Sequence, residues 1–313
     1  MKKTPRALVL LSGGLDSMLA AKALKNQGIK VTGLSFESYF FNAGAASKAA
    51  KNLQIPLRVV NFSKEHLIML KRPKYGYGKA MNPCIDCHIL MLKKAKEIMK
   101  KEKFDFVATG EVLGERPMSQ TSRALKLIEK EAFLSGFLLR PLSAKLLEKT
   151  ICEEKGFVKR DRLFNISGRG RKQQIELAKT WGIKKYPSPS GGCLLTDPIF
   201  GKKLKELLQI CPKCGEKDVA LLRYGRHFWF KKMKIVVGRN EEENKKIKML
   251  AGQGDVLVEM KKYPGPQTII KNYSNKEISS DVLKKAEELT RHYSVKARSL
   301  TKNVEFIIIT KNL

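Results

Sequence analysis

A short glycine-rich segment, Ser12-Gly13-Gly14-Leu15-Asp16-Ser17, places the narrowest limit on the fold of this chain. The apolar run before it, residues 7–11, predicts a strand buried on both faces, as in a parallel α/β sheet. The alanine-rich run after it, residues 18–26, predicts a helix. Glycines let a backbone approach an anion, and the first amides of a helix point outwards without partners. Strand, turn and helix together therefore predict a phosphate-binding site.

The segments that follow continue an alternation of strand and helix. Residues 30–36 and 57–62 are typical of strands, residues 104–111 of a strand and its exit loop, and residues 43–52 of a helix. A β-α-β-α-β order predicts an α/β fold: a parallel sheet with helices on both faces and a ligand site at the carboxyl ends of the strands. We therefore expect Phe36 and Gly110 to lie at the same sheet edge as Ser12.

The glycine-rich segment lacks the Gly-Lys-Ser/Thr and the longer loop of the Walker motif. Ser-Gly-Gly-Xaa-Asp-Ser instead resembles the PP-loop of ATP pyrophosphatases, which split ATP between its α and β phosphates and transfer AMP to a substrate. The alternative is a tight turn capped by Ser or Asp, as in many α/β proteins. The resemblance implies that Ser12, Gly13, Gly14 and Ser17 hold the pyrophosphate portion of ATP and that Asp16 places Mg²⁺.

Further candidates extend this nucleotide site. We expect the adenine to rest at the sheet edge beside Phe36 and Gly110, and Arg140 to add a second positive charge. Residues 168–172, Gly-Arg-Gly-Arg-Lys, precede a helical segment. Such a basic loop is either a phosphate grip or a charged loop that faces solvent.

The charge of the chain is extreme, at +32 from 62 basic and 30 acidic residues. Because the excess is spread over both halves, a disordered basic tail does not account for it. A polyanion partner is expected, with RNA or DNA the leading candidate, and a lysine-rich surface from a basic or thermophilic proteome is the alternative. No apolar stretch is long enough to span a bilayer and no signal peptide precedes the first strand, so we expect a cytoplasmic protein without membrane contact.

Six cysteines are present, at positions 84, 87, 152, 193, 211 and 214. In a reducing compartment, paired spacings indicate metal or sulfur chemistry rather than structural disulfides. Cys84 and Cys87 form a C-x-x-C where a helix should begin, and the positive end of that helix would favour a thiolate at Cys87. Cys193 ends a turn-rich loop, and Cys152 is expected to be buried or inert.

Cys84, Cys87 and Cys193, brought together near a nucleotide, permit two chemistries. They would ligate a [4Fe–4S] cluster with one iron left open, or Cys193 would carry a persulfide that Cys87 resolves as a disulfide. A zinc site formed by both C-x-x-C pairs, the second being Cys211 and Cys214, is the alternative, although their separation is far outside the usual spacing.

The ordered set of motifs carries a more specific resemblance, which covers roughly residues 6–200. The PP-loop, Asn-Pro-Cys84-x-x-Cys87, Thr109-Gly110 and Gly192-Cys193 resemble tRNA thiolation enzymes, both those that make 4-thiouridine and the tRNA-uridine 2-sulfurtransferases. Arg140-Pro141-Leu142 is similar to a segment of 2-thiocytidine and lysidine synthetases. The resemblance implies that a tRNA base carbonyl is adenylated and that sulfur then displaces AMP. Asp16, Cys87 and Cys193 would be catalytic, and Cys84, Cys87 and Cys193 would hold the cluster.

A strand-rich pattern follows the second C-x-x-C and predicts a small α+β domain. Val236-Val237-Gly238-Arg239-Asn240 and later segments resemble the RNA-binding domain of NFACT proteins over about residues 219–313. Arg223, Arg226 and Arg239 would face phosphates, or would be ordinary surface arginines. The expected organisation is a PP-loop domain over residues 1–200, a linker over 201–218, and the RNA-binding domain over 219–313.

The expected partners are tRNA and an external sulfide or sulfur-donor protein. A donor is implied because the resemblance extends neither to an RNA-binding THUMP domain nor to a rhodanese domain, and a homodimer is compatible with the sequence. Two other functions stay open: a PP-loop amidating or lysidine-type ligase, which needs no cysteines, and a non-catalytic RNA-binding factor, against which the intact PP-loop argues.

Overall fold

A computed structural model describes residues 4–188, 193–273, 277–300 and 304–311 of the chain. The chain divides into two compact units, Met1–Asp197 and Pro198–Leu313. Residues 201–218, expected as a linker, lie within the second unit. Within the described ranges, no helix is long and apolar enough to cross a membrane.

The first unit is built on a parallel sheet of five strands. These are β1 Arg6–Leu10, β2 Lys30–Glu37, β3 Leu57–Asn61, β4 Phe106–Ala108 and β5 Leu138–Leu139. Their order is β3-β2-β1-β4-β5, and each neighbouring pair is parallel. This confirms the predicted α/β fold. The order reverses between β1 and β4, which is the point where open parallel sheets bind ligands.

Helices cover both faces of this sheet. They are α1 Leu15–Lys25, α2 Gly44–Leu53, α3 Ser63–Lys71, α4 Cys84–Lys101, α5 Ser122–Glu131, α6 Ile151–Glu154 and α7 Lys172–Thr180. Successive strand residues point to opposite faces, so Val9 of β1 packs with Leu19 of α1, whereas Leu8 packs with Leu92 of α4. The two apolar layers fix the ends of β1 and β4 relative to the starts of α1 and α4.

The second unit contains an antiparallel sheet with helices. Its strands are β6 Arg226–Phe230, β7 Met233–Val237, β8 Val256–Met260, β9 Thr268–Lys271 and β10 Phe306–Thr310, in the order β10-β8-β9-β7-β6. Its helices are α8 Pro198–Ile210, α9 Glu216–Leu221, α10 Glu241–Leu250 and α11 Ser280–His292. Val282 and Ala286 of α11 pack on one face of the sheet, and Ile247 of α10 packs on the other. The predicted small α+β domain is therefore confirmed.

One lysine lies inside this second unit. Lys234 of β7 is only 1% exposed, and its Nζ has no hydrogen-bond partner among the described residues. The ammonium lies 4.8 Å from the centre of the Trp229 ring. Burial lowers the pKa of Lys234 to about 8, although Glu206 partly counteracts this effect. A buried charge without an ion pair is a cost to folding.

We expect Lys234→Met to stabilise the protein. As pH falls from 10.5 to about 8, the unfolded lysine binds a proton while the folded one stays neutral, so the wild-type protein loses stability over that window. The loss corresponds to about 3 kcal/mol below pH 8. Urea denaturation should show a higher unfolding free energy for the variant at pH 7, without the rise of the wild type towards pH 10.5. Lys284→Met, on the exposed side of α11, is the control, and equal stability of the Lys234 variant and the wild type would contradict the prediction.

Candidate nucleotide and thiol site

The glycine-rich loop lies between the end of β1 and the start of α1, as predicted. The Ser12 Oγ accepts a hydrogen bond from the Gly14 amide at 3.3 Å, and the Ser17 Oγ donates to the Gly14 carbonyl at 2.8 Å. Gly13 has a φ of +85°, and a Cβ there would collide with the backbone of Ala45 in α2. No side chain caps the start of α1. The first amides of that helix are therefore available to an anion.

Gly110, which follows β4, touches this loop directly. A Cβ at Gly110 would lie 2.5 Å from the Ser17 nitrogen and 2.6 Å from the Asp16 carbonyl carbon. The exit loops of β1 and β4 therefore meet at the reversal of strand order. The prediction that Ser12 and Gly110 share one edge agrees with this contact.

A buried polar network continues from Gly110 to α4. Glu111 Oε1 lies 2.8 Å from Nδ1 of His88, and Glu111 Oε2 accepts hydrogen bonds from Thr109 Oγ1 and Arg140 Nε, each at 3.0 Å. Burial alone would raise the pKa of Glu111, but the guanidinium of Arg140 and the hydrogen bond with His88 hold it at about 2. The network fixes the first turn of α4, which carries Cys87, against the exit loop of β4.

Arg140 is enclosed by this network. It is 4% exposed, and besides Glu111 it bonds Glu129 through Nη1 at 2.8 Å and the Leu125 carbonyl through Nη2 at 3.2 Å. Two carboxylates thus offset its charge. The arrangement indicates that Arg140 positions Glu111, and the nucleotide contact expected from the sequence stays a prediction.

Replacing Glu111 with Gln should destabilise the protein strongly. The change leaves the buried Arg140 with one carboxylate partner, and disrupting a buried ion pair costs about 3–5 kcal/mol. Because the pKa of Glu111 is depressed, its contribution is complete above pH 4.5 and is lost as pH falls towards 2. Urea denaturation at pH 7 and pH 4 checks both effects. Glu148→Gln, an exposed carboxylate paired with Lys126, should behave like the wild type, and a similarly small effect at Glu111 would contradict the prediction.

The carboxylate of Asp16 lies near a set of basic and polar side chains. Asp16 Oδ2 is 4.0 Å from Arg171 Nη2, and Arg171, Arg116 and Gln174 are all close enough to influence the Asp16 pKa. Burial nevertheless raises that pKa above its usual value. Asp16 Oδ1, Arg171 Nε and both polar atoms of the Gln174 side chain are buried, without hydrogen-bond partners in the described part of the chain. Buried groups of this kind need partners, so the arrangement is suited to a polar ligand.

Sequence reasoning treated Arg171 only as part of the basic loop 168–172 and missed Arg116 and Gln174. The structure brings that loop to the site through Gly168, whose amide donates to the Leu113 carbonyl at 2.7 Å. The three-residue spacing of Arg171 and Gln174 at the start of α7 was the available signal, because it puts both side chains on one helix face.

The thiols form the other end of the site. Cys84 and Cys87 lie in the first turn of α4, and the Leu194 amide next to Cys193 donates to the Phe40 carbonyl after β2 at 3.2 Å. Burial raises the pKa of Cys193 to about 11 and that of Cys87 well above its usual value, and Cys193 and Cys84 raise that of Cys87 further. The three thiols therefore lie near one another. The pKa of Cys87 is thus shifted in the direction opposite to the one expected, because burial outweighs the helix terminus.

The thiols do not form a ready metal site. In the ranges that the structure describes, no three His, Cys, Asp or Glu residues form a group that could hold a metal ion. Gly192 of the predicted Gly-Cys193 motif lies outside the described residues. The cluster and Mg²⁺ therefore stay predictions.

The other predicted residues differ in their exposure and in their contacts. Phe36 is 5% exposed and the centre of its ring lies 5.1 Å from that of Phe62, so its side chain is buried and its contact with an adenine stays a prediction. Cys152 is buried, as expected. In the second unit, Arg226 lies over the Tyr293 ring at 4.4 Å. Arg223 and Arg239 are exposed, and Arg239 Nε donates to Glu243 at 2.9 Å.

A parallel sheet with a glycine-rich anion loop at its switch point is typical of nucleotide-binding α/β proteins. Residues 3–152 match the family described as thiamine biosynthesis protein (ThiI), and residues 225–312 match the family described as NFACT protein RNA binding domain. The chain thus combines a ThiI-type PP-loop domain with an NFACT-type RNA-binding domain, which confirms the resemblance drawn from the motifs.

Curated proteins are similar to part of this chain. The tRNA-specific 2-thiouridylase MnmA 2 of Caldanaerobacter subterraneus subsp. tengcongensis is 30% identical over 244 residues, covering 69% of this chain and 62% of that protein. The probable tRNA sulfurtransferase of Finegoldia magna is 32% identical over 143 residues, covering 44% and 36%. This chain therefore spans less than two thirds of the length of these relatives. A solved 4-thiouridine synthetase–RNA complex with bound ATP aligns with 57% of this chain and 52% of its own, at 20% identity and a TM-score of 0.36.

Proposed function

We propose that the protein is an ATP-dependent tRNA sulfurtransferase, which adenylates a uridine carbonyl and replaces its oxygen with sulfur to give 4-thiouridine or 2-thiouridine. The observation that carries this proposal is that direct contacts join the anion loop to the three neighbouring cysteines. The anion loop touches Gly110, and Glu111 beside Gly110 bonds His88. His88 in turn follows Cys87 in the chain. These contacts support a nucleotide site and a sulfur site that lie side by side in the first unit. The two matched domains and the names of the relatives support the same activity.

In the adenylation step, the backbone of Ser12, Gly13 and Gly14 and the first amides of α1 would hold the pyrophosphate portion of ATP. Mg²⁺, placed by Asp16, would offset the negative charge of the phosphates. The uridine oxygen attacks the α phosphorus, and pyrophosphate leaves. We assign Arg171 to the charge on the departing phosphates, because its guanidinium is incompletely paired beside Asp16.

In the sulfur step, a sulfur nucleophile attacks the activated carbon and AMP leaves with the former carbonyl oxygen. Cys193, with Cys84 and Cys87, would supply that nucleophile, either as a Cys193 persulfide that Cys87 resolves or by holding sulfide at a [4Fe–4S] cluster. The protein itself does not preform the cluster site, so only the proximity of the thiols supports this step.

The second unit would bind the tRNA. Its match to an RNA-binding domain and the net charge of +32 support this assignment, with Arg223 and Arg239 as exposed contacts for phosphates. An external sulfide or sulfur-donor protein would act as the second partner in the cytoplasm.

The proposal is tested under anaerobic conditions with purified protein, ATP and unmodified tRNA, in parallel reactions that contain either sulfide or a persulfide donor together with a dithiol reductant. We expect one thiolated uridine per AMP and pyrophosphate released, detected by mass spectrometry of the digested tRNA. A nitrogen-containing nucleoside, or release of AMP without any modified base, would overturn the sulfurtransferase assignment. Absence of tRNA-dependent pyrophosphate release would overturn the enzyme assignment altogether.

A further inference from the structure

The second C-x-x-C of the chain, Cys211 and Cys214, lies apart from the nucleotide site, in the connection between α8 and α9. The Cys214 amide donates to the Cys211 carbonyl at 3.0 Å, which makes residues 211–214 a tight turn. The ends of such a turn are within about 7 Å of each other, and disulfides join Cα atoms about 4.4–6.8 Å apart. The backbone separation in this turn is therefore compatible with a disulfide between the two cysteines.

The two cysteines differ in access. Cys211 is partly exposed, whereas Cys214 is 3% exposed. A reagent from solution therefore reaches Cys211 first, and Cys214 is shielded from it. This asymmetry is the one expected of an attacking thiol and a resolving thiol.

The buried Lys234 lies near this turn. Burial has the largest effect on the pKa of its ammonium, followed by the charges of Glu206, Lys203, Asp218 and Cys214. Asp218 is already paired with Lys271, at 3.2 Å, and Lys271 also pairs with Asp255, at 2.6 Å. Lys234 has no ion pair or hydrogen bond of its own in the described ranges. A thiolate at Cys214 would add an anion to those that Glu206 and Asp218 already provide near Lys234.

A second unsatisfied group borders the same turn. The hydroxyl of Tyr273 is buried without a hydrogen-bond partner in the described part of the chain, and Cys211 and Cys214 are among the groups that raise its pKa, after burial and Asp218. Its ring packs 6.1 Å from that of Trp229, over which Lys234 lies. Lys234 and Tyr273 are thus two buried hydrogen-bond donors near one pair of thiols.

We propose that Cys211 and Cys214 are a redox-active dithiol that attacks sulfur–sulfur bonds, with Lys234 as the residue that stabilises the Cys214 thiolate. Cys211 thiolate attacks one sulfur of a disulfide or persulfide, and the other sulfur leaves as a thiolate. Cys214 then attacks the sulfur of Cys211 and expels the acquired group. The pair is oxidised to a disulfide by two electrons, and the substrate is reduced to two thiols, or to a thiol and hydrogen sulfide. An external dithiol resets the pair.

The test uses the full-length protein and two probes, glutathione disulfide and glutathione persulfide. Trypsin cleaves after Lys213, so the oxidised pair appears as two peptides joined through Cys211 and Cys214 in a non-reduced digest. Cys214→Ser should retain the glutathione adduct, or the persulfide, on Cys211. Only the persulfide probe should release hydrogen sulfide, one per disulfide formed, which distinguishes the two substrates.

Lys234→Met separates a chemical role from a structural one. It should leave the first adduct at Cys211 unchanged while slowing closure of the disulfide and its reduction by a dithiol about tenfold, since a less stabilised thiolate forms and leaves more slowly. Lys284→Met and Cys152→Ser should match the wild type. The variant is expected to be more stable than the wild type, so unfolding cannot explain a slower reaction. The proposal would be overturned if neither probe produced the disulfide between Cys211 and Cys214. It would also be overturned if Lys234→Met closed that disulfide at the wild-type rate, or if the wild-type protein held one zinc ion that Cys211→Ser lacks.

Discussion

Replacing Gly110 with alanine will abolish tRNA-dependent release of pyrophosphate, with a loss of at least about 100-fold. The added Cβ would lie 2.5 Å from the Ser17 nitrogen, and its neighbours are backbone atoms that no rotamer change can move. The first turn of α1 must therefore shift away from β4. A displacement of about 1 Å in a positioning group is enough to cost about 100-fold in rate.

The measurement is pyrophosphate release with saturating tRNA, accompanied by circular dichroism to verify folding. Gly215→Ala is the matched control, because nothing lies within 4 Å of its added Cβ and its φ is −111°. If Gly110→Ala kept half of the wild-type rate, Gly110 would not be part of the nucleotide site.

Replacing Cys193 with alanine will stop thiolation while pyrophosphate release continues. Cys193 lies near Cys84 and Cys87, whereas the anion loop is held by other elements, α1 and the exit loop of β4. Removing the thiol therefore removes the sulfur step and spares adenylation. The two variants, Gly110→Ala and Cys193→Ala, should thus fail at different steps.

The two products are followed in one reaction, with thiolated nucleoside measured by mass spectrometry and pyrophosphate by an enzymatic assay. Cys152→Ala, which removes another buried thiol of the same unit, should thiolate at close to the wild-type rate. Normal thiolation by Cys193→Ala would remove Cys193 from the mechanism. Loss of both products would instead indicate a structural role.

The features predicted best are those that depend on neighbouring residues in the chain. Residues 7–11 form a continuous apolar run, and a strand with that pattern must be buried on both faces, which fixed the position of β1. Ser12 and Gly110 could be placed at one edge because parallel strands deliver their exit loops to the same side of a sheet. Local patterns thus located the anion loop and its neighbour.

Features that depend on distant partners could not be predicted. Arg140 was expected beside the nucleotide, but its partners Glu111 and Glu129 are 29 and 11 residues away, and only folding brings them together. The helices α3 and α5 were not foreseen. The short strand β9 was also missed, because Lys271 looks exposed until its pairing with Asp255 is known.

The hydrogen bond from the Leu194 amide to the Phe40 carbonyl has a consequence for protein engineering. It fastens the backbone beside Cys193 to the loop that joins β2 to α2, although the two are more than 150 residues apart in sequence. The length of the β2–α2 loop therefore sets the location of a thiol it does not contain. Tags and insertions meant to preserve the sulfur chemistry belong elsewhere, for example at the turn around Gly28, where nothing lies within 4 Å of an added Cβ.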